Sequence, residues 1–225
     1  MAIKNKKFAE WYAKPESKAY MKKYAKEYYQ KNKEHMKNYQ KERKYDTPAK
    51  NRIRDSLINF MGQYKIKKVL TLESEDFIFS KIIPEKKIVV FEKDKKTFSL
   101  MEKSKPKNVS LFYGDISHFA DLDSKTDFVY LDFCGTYEFS KEVIYSLKQT
   151  IKQSKLFAVT FCLRTGDQVK KKGFKQIGDY QFDLIRRLQE LLDINFKVLY
   201  GEGYNDSGCM VTMLFENPGE IQWRK

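Results

Sequence analysis

Three apolar runs in this chain of 225 residues each carry a carboxylate at the C-terminal tip. Glu92 closes Lys87-Ile88-Val89-Val90-Phe91, Asp115 follows Val109-Ser110-Leu111-Phe112-Tyr113-Gly114, and Asp132 ends the apolar part of Asp127–Gly135. A fourth acid, Glu73, follows Lys68-Val69-Leu70-Thr71-Leu72. Carboxylates accept hydrogen bonds from hydroxyls, amines and ammonium groups, so four of them at strand tips suit a polar ligand. Runs of four to six β-branched and aromatic residues separated by helical patterns read as parallel strands of an α/β sheet. Ligands of such sheets bind beyond the carboxyl ends of the strands, where these acids fall. The pattern predicts an enzyme that holds a nucleoside-bearing cofactor.

The elements that must position these acids can be read in order. Ile53, Leu57, Ile58 and Met61 recur at helical spacing and predict an amphipathic helix, with Thr47 as N-cap and Pro48 at its first position. Strands are expected at Lys68–Leu72, Lys87–Glu92, Val109–Tyr113, Phe128–Leu131 and Leu156–Cys162. Helices are expected around Asp76–Ile83, through Phe98 and Met101, through Val143, Ile144, Leu147 and Ile151, and through Leu184, Leu188, Leu191 and Leu192. Asn195–Gly201 and Cys209–Phe215 then face each other across the Gly/Asn/Asp-rich connection Glu202–Gly208, as in a hairpin.

Five β–α units closed by an antiparallel hairpin, with acids at the strand tips, resemble the Rossmann-like S-adenosylmethionine-dependent methyltransferases across roughly residues 50–217. The resemblance implies a mostly parallel α/β sheet with a C-terminal antiparallel hairpin, and S-adenosylmethionine as cofactor. It assigns the turn after the first strand, Thr71, Glu73 and Ser74, to the methionine end of the cofactor. That turn carries no glycine where the family has a glycine-rich one. Either it reaches the cofactor by another geometry, or binding is weakened or lost. Glu92, nineteen residues after Glu73, takes the place of the acid on the ribose hydroxyls. Asp115 and Ile116 take the place of the residues around the adenine amino group.

Tyr130-Leu131-Asp132-Phe133-Cys134-Gly135-Thr136-Tyr137 occupies the family's fourth, catalytic motif. Amino-directed nucleic-acid methyltransferases carry Asp/Asn-Pro-Pro-Tyr/Phe there, holding an amine with the polar residue and stacking the flipped base on the aromatic. Asp132 and Phe133 match, and both prolines are absent. A second chemistry is open: Cys134 and Cys162 fall at the ends of neighbouring strands, as do the cysteines of RNA cytosine-5 methyltransferases. There a thiolate adds at C6 to make C5 nucleophilic. The plain alternative is two small apolar fillers.

No Ser/His/Asp set or Cys/His metal cluster is visible, with only His35 and His118 present, so no metal is expected. Three cysteines without metal-type spacing fit free thiols in a cytoplasmic protein. No apolar run approaches the ~18–20 residues of a membrane span.

Charge is placed unevenly. Residues 1–54 hold 17 basic and 6 acidic side chains, most of the formal +14 of the chain. Such asymmetry fits a polyanion partner, nucleic acid first, DNA or RNA. Ser17–Tyr45 contains no Gly, Pro or branched aliphatic residue, so it predicts a helix without a core of its own. Tyr20, Tyr24 and Tyr28 share one helix face among Lys22, Lys23, Lys26, Lys33, Lys37, Arg43 and Lys44. Ammonium groups meet phosphates and rings stack on unpaired bases; a stripe that packs on the main domain or on a second copy is the competing reading, and the oligomeric state stays open. A second basic segment, Arg164 with Lys170, Lys171 and Lys172, is expected to overhang the substrate side. The sequence thus divides into a basic arm, 1–46, and a methyltransferase-like domain, 47–225. Methyl transfer to a base is the leading expectation, against a non-enzymatic nucleic-acid-binding protein on a decayed methyltransferase fold.

Overall fold

The computed structural model divides the chain into two compact units, Met1–Asp46 and Thr47–Lys225. It describes residues 15–17, 19, 20, 22–24, 26, 27 and 30 of the first, and 47–121, 125–133, 135–163, 177–205 and 209–217 of the second. In the first unit every described residue is helical. Tyr20 and Tyr24, one helical turn apart, stack with ring centroids 6.5 Å apart and planes 17° from parallel.

The second unit begins with α1 (Pro48–Gln63), where the Thr47 hydroxyl accepts from the Lys50 N–H at 3.3 Å. The chain continues through β1 (Lys68–Thr71), α2 (Ile78–Ile82), β2 (Lys87–Glu92), α3 (Lys95–Ser104) and β3 (Val109–Tyr113). A 3₁₀ segment at Ile116–Asp121 leads to β4 (Phe128–Asp132), α4 (Tyr137–Ser146), α5 (Lys148–Gln153) and β5 (Leu156–Cys162). Then come α6 (Ile177–Leu192), β6 (Lys197–Asn205) and β7 (Cys209–Glu216).

The seven strands form one sheet in the order β3-β2-β1-β4-β5-β7-β6. β1 to β5 are parallel, and β7 runs antiparallel to both β5 and β6. Near-continuous burial along β2, β4 and β5 reflects helices on both faces. Ile53, Leu57 and Met61 of α1, Phe79 of α2 and Met101 of α3 pack on one face with Val69, Val90, Tyr130 and Leu214. Ile144 of α4, Ile151 of α5 and Leu184, Leu188 and Leu192 of α6 pack on the other, with Leu70, Val129 and Phe157.

Asp127 fixes the amino-terminal register of the central strands. Its Oδ2 accepts from the Lys67 and Lys68 N–H groups at 2.9 and 3.1 Å, and its Oδ1 pairs with Lys155 at 3.2 Å. Partial burial pushes this carboxyl upward, but the amides and the lysine outweigh it and hold the group below the usual carboxylate range.

Two elements differ from the sequence reading. The helix expected through Val143–Ile151 is two helices that break at Leu147, whose N–H is shared between the Val143 and Ile144 carbonyls. Leu147 and Ile151 both stay buried, so apolar spacing runs through the break unaltered. β6 extends to Asn205, through residues expected in the hairpin connection, because Glu202, Gly203 and Tyr204 pair with Thr212, Val211 and Met210. Among the described residues, no helix is long and apolar enough to cross a membrane.

Candidate functional site

Strand order reverses between β1 and β4, and ligands of such sheets bind beyond the carboxyl ends at that switch point. The parallel registers bring the four acids to that edge. Glu92 stands level with Tyr113, Asp132 level with Thr160, and Thr71 is flanked by Val90 and Tyr130. Pleat alternation puts Thr71, Glu92, Tyr130, Asp132, Thr160 and Cys162 on the face covered by α1 to α3. Leu72, Phe133 and Phe161 fall on the α4–α6 side.

Each acid has a distinct environment. Glu73 is half-buried, and its Oε1 accepts from both the N–H and the hydroxyl of Ser80, a fully buried residue of α2. Burial pushes its carboxyl up to about 7, against the Ser80 hydrogen bonds and the nearby Arg54 charge. Glu92 Oε1 accepts from the Asp94 N–H at 2.6 Å, while Asp94 itself caps α3 by accepting from the Thr97 N–H at 2.8 Å. Asp115 Oδ1 accepts from the Ser117 N–H at 3.0 Å, and Lys93 approaches its Oδ2 at 3.6 Å. Burial is the strongest influence on Asp115 and acts upward; Ser117 and Lys93 together outweigh it and hold the carboxyl low.

Gly114 precedes Asp115 with φ +146°, and a Cβ there would stand 3.0 Å from His118 Nδ1. The positive φ favours glycine, and it lets the chain turn so that the next carboxylate stands at the strand end.

Of the remaining cofactor candidates, Thr71 is fully buried and its hydroxyl donates to the Leu72 carbonyl at 3.2 Å. Ser74 is exposed, and its carbonyl accepts from the Phe77 N–H. Phe77, fully buried, takes the left-handed conformation with φ 49°. Ile116 belongs to the apolar core on the α4 side.

On the catalytic side, the Phe133 N–H donates to the Thr160 carbonyl and its ring lies parallel to Phe161, 6.0 Å away. Cys162 is half-buried against the apolar cluster under α1, and its N–H donates to the Gly135 carbonyl. Burial, with Cys162 nearby, raises the Cys209 thiol. Cys134, Arg164, Lys170, Lys171 and Lys172 lie outside the described residues, as do Lys33, Lys37, Arg43 and Lys44 of the arm. Lys22, Lys23 and Lys26 are exposed on the arm helix.

A polar row that sequence reading missed runs beneath Asp132. Thr160 and Thr212, both fully buried, share a hydroxyl–hydroxyl hydrogen bond of 2.8 Å between β5 and β7. Desolvation, chiefly, and the Asp132 charge push the pKa of the buried Tyr130 hydroxyl upward, against the nearby Thr160 hydroxyl. No local signal marks these hydroxyls, because their partners come from separate strands. A cavity of about 880 Å³ lies away from this edge, among Lys125, Lys152, Lys155, Asp193 and Asn217. Two of its lysines are ion-paired, Lys152 with Asp193 and Lys155 with Asp127. Among the described residues no group of His, Cys, Asp and Glu is placed to hold a metal ion.

The architecture is that of known methyltransferases. The N-methyltransferase NodS from Bradyrhizobium japonicum WM9 superposes with a TM-score of 0.53 at 12% identity, covering 77% of this chain and 98% of NodS. The methyltransferase domain of bacterial CtHen1 superposes with a TM-score of 0.51 at 10% identity, covering 72% of this chain and 96% of that domain. No family model and no curated relative matches the sequence, so the likeness is one of fold. The chain has the Rossmann-like fold of class I methyltransferases.

Proposed function

We propose that this protein transfers a methyl group from S-adenosylmethionine to a base of DNA or RNA. The observation that carries the reading is the row of Glu92, Asp115 and Asp132 at the tips of β2, β3 and β4, beside the switch point of a β3-β2-β1-β4-β5-β7-β6 sheet. The nucleoside end of the cofactor fits. Glu92 would accept from the ribose hydroxyls, and Asp115 from the adenine amine, with Gly114 keeping a side chain out of the turn. The methionine end fits less closely, because the turn has no glycine and Glu73 Oε1 is engaged by Ser80.

Bound there, S-adenosylmethionine would supply an electrophilic methyl group. Asp132 would accept from the target amine and fix its lone pair toward that methyl. Phe133, braced by Phe161, would hold the end of β4 that carries Asp132. The arm lysines, with the 164–175 segment, would grip phosphates. Cytoplasmic placement belongs to the same reading.

The turn after β1 favours a second reading, a nucleic-acid-binding protein that keeps the fold without transfer. Calorimetric titration with S-adenosylmethionine and S-adenosylhomocysteine separates the two. Binding, followed by labelled-methyl transfer to DNA or RNA, supports the enzyme; no binding by the folded protein leaves only the second. A small-molecule methyltransferase would transfer to neither nucleic acid.

A further inference from the structure

Three aromatic side chains follow Asp132 within seven residues, in three different settings. Phe133 is half-buried, with its ring parallel to Phe161 at 6.0 Å and 9°. Tyr137 is buried edge-on to Phe161 at 5.8 Å, its hydroxyl donates to the Arg187 carbonyl at 3.4 Å, and the Arg187 guanidinium lies over its ring. Both are committed to the packing of α4 and α6 against the sheet. Phe139 is 80% exposed.

The backbone under Phe139 is held firmly. Its N–H donates to the Thr136 carbonyl at 3.1 Å, and the Ser140 hydroxyl donates to the same oxygen at 3.1 Å. A Cβ built on Gly135 would stand 3.8 Å from Phe139 Cβ, so Phe139 rises directly beside the loop that follows Asp132. The first turn of α4 thus presents an open ring beside Gly135, three residues past the acid that ends β4. An aromatic face in that position stacks any base, because every base has a π-face. The formal charge of +14, most of it in residues 1–54, draws a polyanion rather than a neutral partner to the chain.

We infer that Phe139 is the ring on which the target stacks, and that the target is a nucleobase of an unpaired strand rather than an aliphatic amine. The inference rests on the proposed function for the meaning of the bound base, and its own failure is separately visible. Phe133 then acts as a positioning residue, bracing the loop against Phe161.

The test uses the full chain with Trp11→Phe, Trp223→Phe and Phe139→Trp, which leaves one indole at the proposed platform. A short single-stranded oligonucleotide should quench its fluorescence saturably, whereas heparin, a polyanion without bases, should not. Phe139→Ala should weaken oligonucleotide binding about tenfold, and Phe139→Tyr should restore it. Oligonucleotide binding, seen by anisotropy, without quenching would overturn the inference. Quenching by S-adenosylhomocysteine alone would overturn it too, by placing the ring against the cofactor. Quenching by the oligonucleotide in a protein that binds no S-adenosylmethionine would sink the methyl-transfer reading and leave the stacking platform standing.

Discussion

Glu73 Oε1 accepts two hydrogen bonds from one residue, the N–H of Ser80 at 2.8 Å and its hydroxyl at 2.7 Å, and so fastens the turn after β1 onto α2. The departure of the sequence from the methyltransferase pattern therefore has a structural counterpart, a turn closed upon itself.

The environment of Glu73 predicts a pH dependence of stability. Burial raises its folded pKa to about 7 from an ordinary 4.5, so between those values the folded state holds a proton that the unfolded state has lost. Stability then falls as pH rises through that window, by on the order of 3 kcal/mol at most, at about 1.4 kcal/mol per pK unit. Urea unfolding between about pH 5 and pH 8 should show this decline in the native protein and a flatter profile in Glu73→Gln. Parallel profiles would assign the pH dependence to other groups.

Thr160 is hydrogen-bonded to Thr212 and is also the polar neighbour of the buried Tyr130 hydroxyl, whereas Thr212 meets Thr160 alone in this row. Thr160→Val removes the partner of Thr212 and the polar neighbour of the buried Tyr130 hydroxyl, whereas Thr212→Val leaves only Thr160 short, at ~1–3 kcal/mol for each unsatisfied group. Thr160→Val should therefore be the more destabilising in chemical denaturation. Equal losses, or the reverse order, would remove Thr160 from the centre of the network.

Most of the fold was legible because β2, β4 and β5 are buried on both faces and read as unbroken apolar runs, and β2, β3 and β4 carry an acid at or just past the tip. Glu92, Asp115 and Asp132 stood out for that reason. The break at Leu147 was hidden, since Leu147 and Ile151 keep one apolar face across both helices. Glu202–Asn205 carried turn-forming residues, and pairing with β7 overrode them. Ser80, Tyr130, Thr160 and Thr212 depend on partners distant in sequence, and nothing local announces them. Phe139 did leave a trace, an apolar ring next to Glu138 on the polar side of a helix.

Gly114 should not tolerate a side chain. At φ +146°, with His118 Nδ1 3.0 Å from the added Cβ, Gly114→Ala combines backbone strain with a close contact. A cost of about 1–3 kcal/mol in stability is expected. Cofactor affinity should fall as well, because Asp115 is the next residue. A substitution that leaves both denaturation midpoint and calorimetric affinity unchanged would remove the turn from the site.

Glu92→Ala separates ligand binding from folding. Its Oε1 holds the Asp94 amide at a strand tip, where an amide can turn to water, so stability should change little. Loss of a charged acceptor for a diol costs about 1.5–3 kcal/mol, which corresponds to roughly 10- to 150-fold in affinity for S-adenosylhomocysteine. Unchanged affinity in calorimetry would place the ribose elsewhere.

The arm is tested by salt rather than by affinity at one condition. Lys22, Lys23 and Lys26 are exposed on a helix whose Tyr20 and Tyr24 rings are stacked and open. Each lysine that neutralises a phosphate contributes about −0.7 to −0.9 to the slope of log affinity against log salt. Replacing all three by Gln in the full chain should make that slope shallower by about 2 to 3, for RNA and DNA oligonucleotides alike. Affinity for S-adenosylmethionine should stay the same, because the substitutions touch only phosphate contacts. A slope that does not move would mean the charge of the arm is solvated surface, and would return the tyrosine face to a role in protein packing.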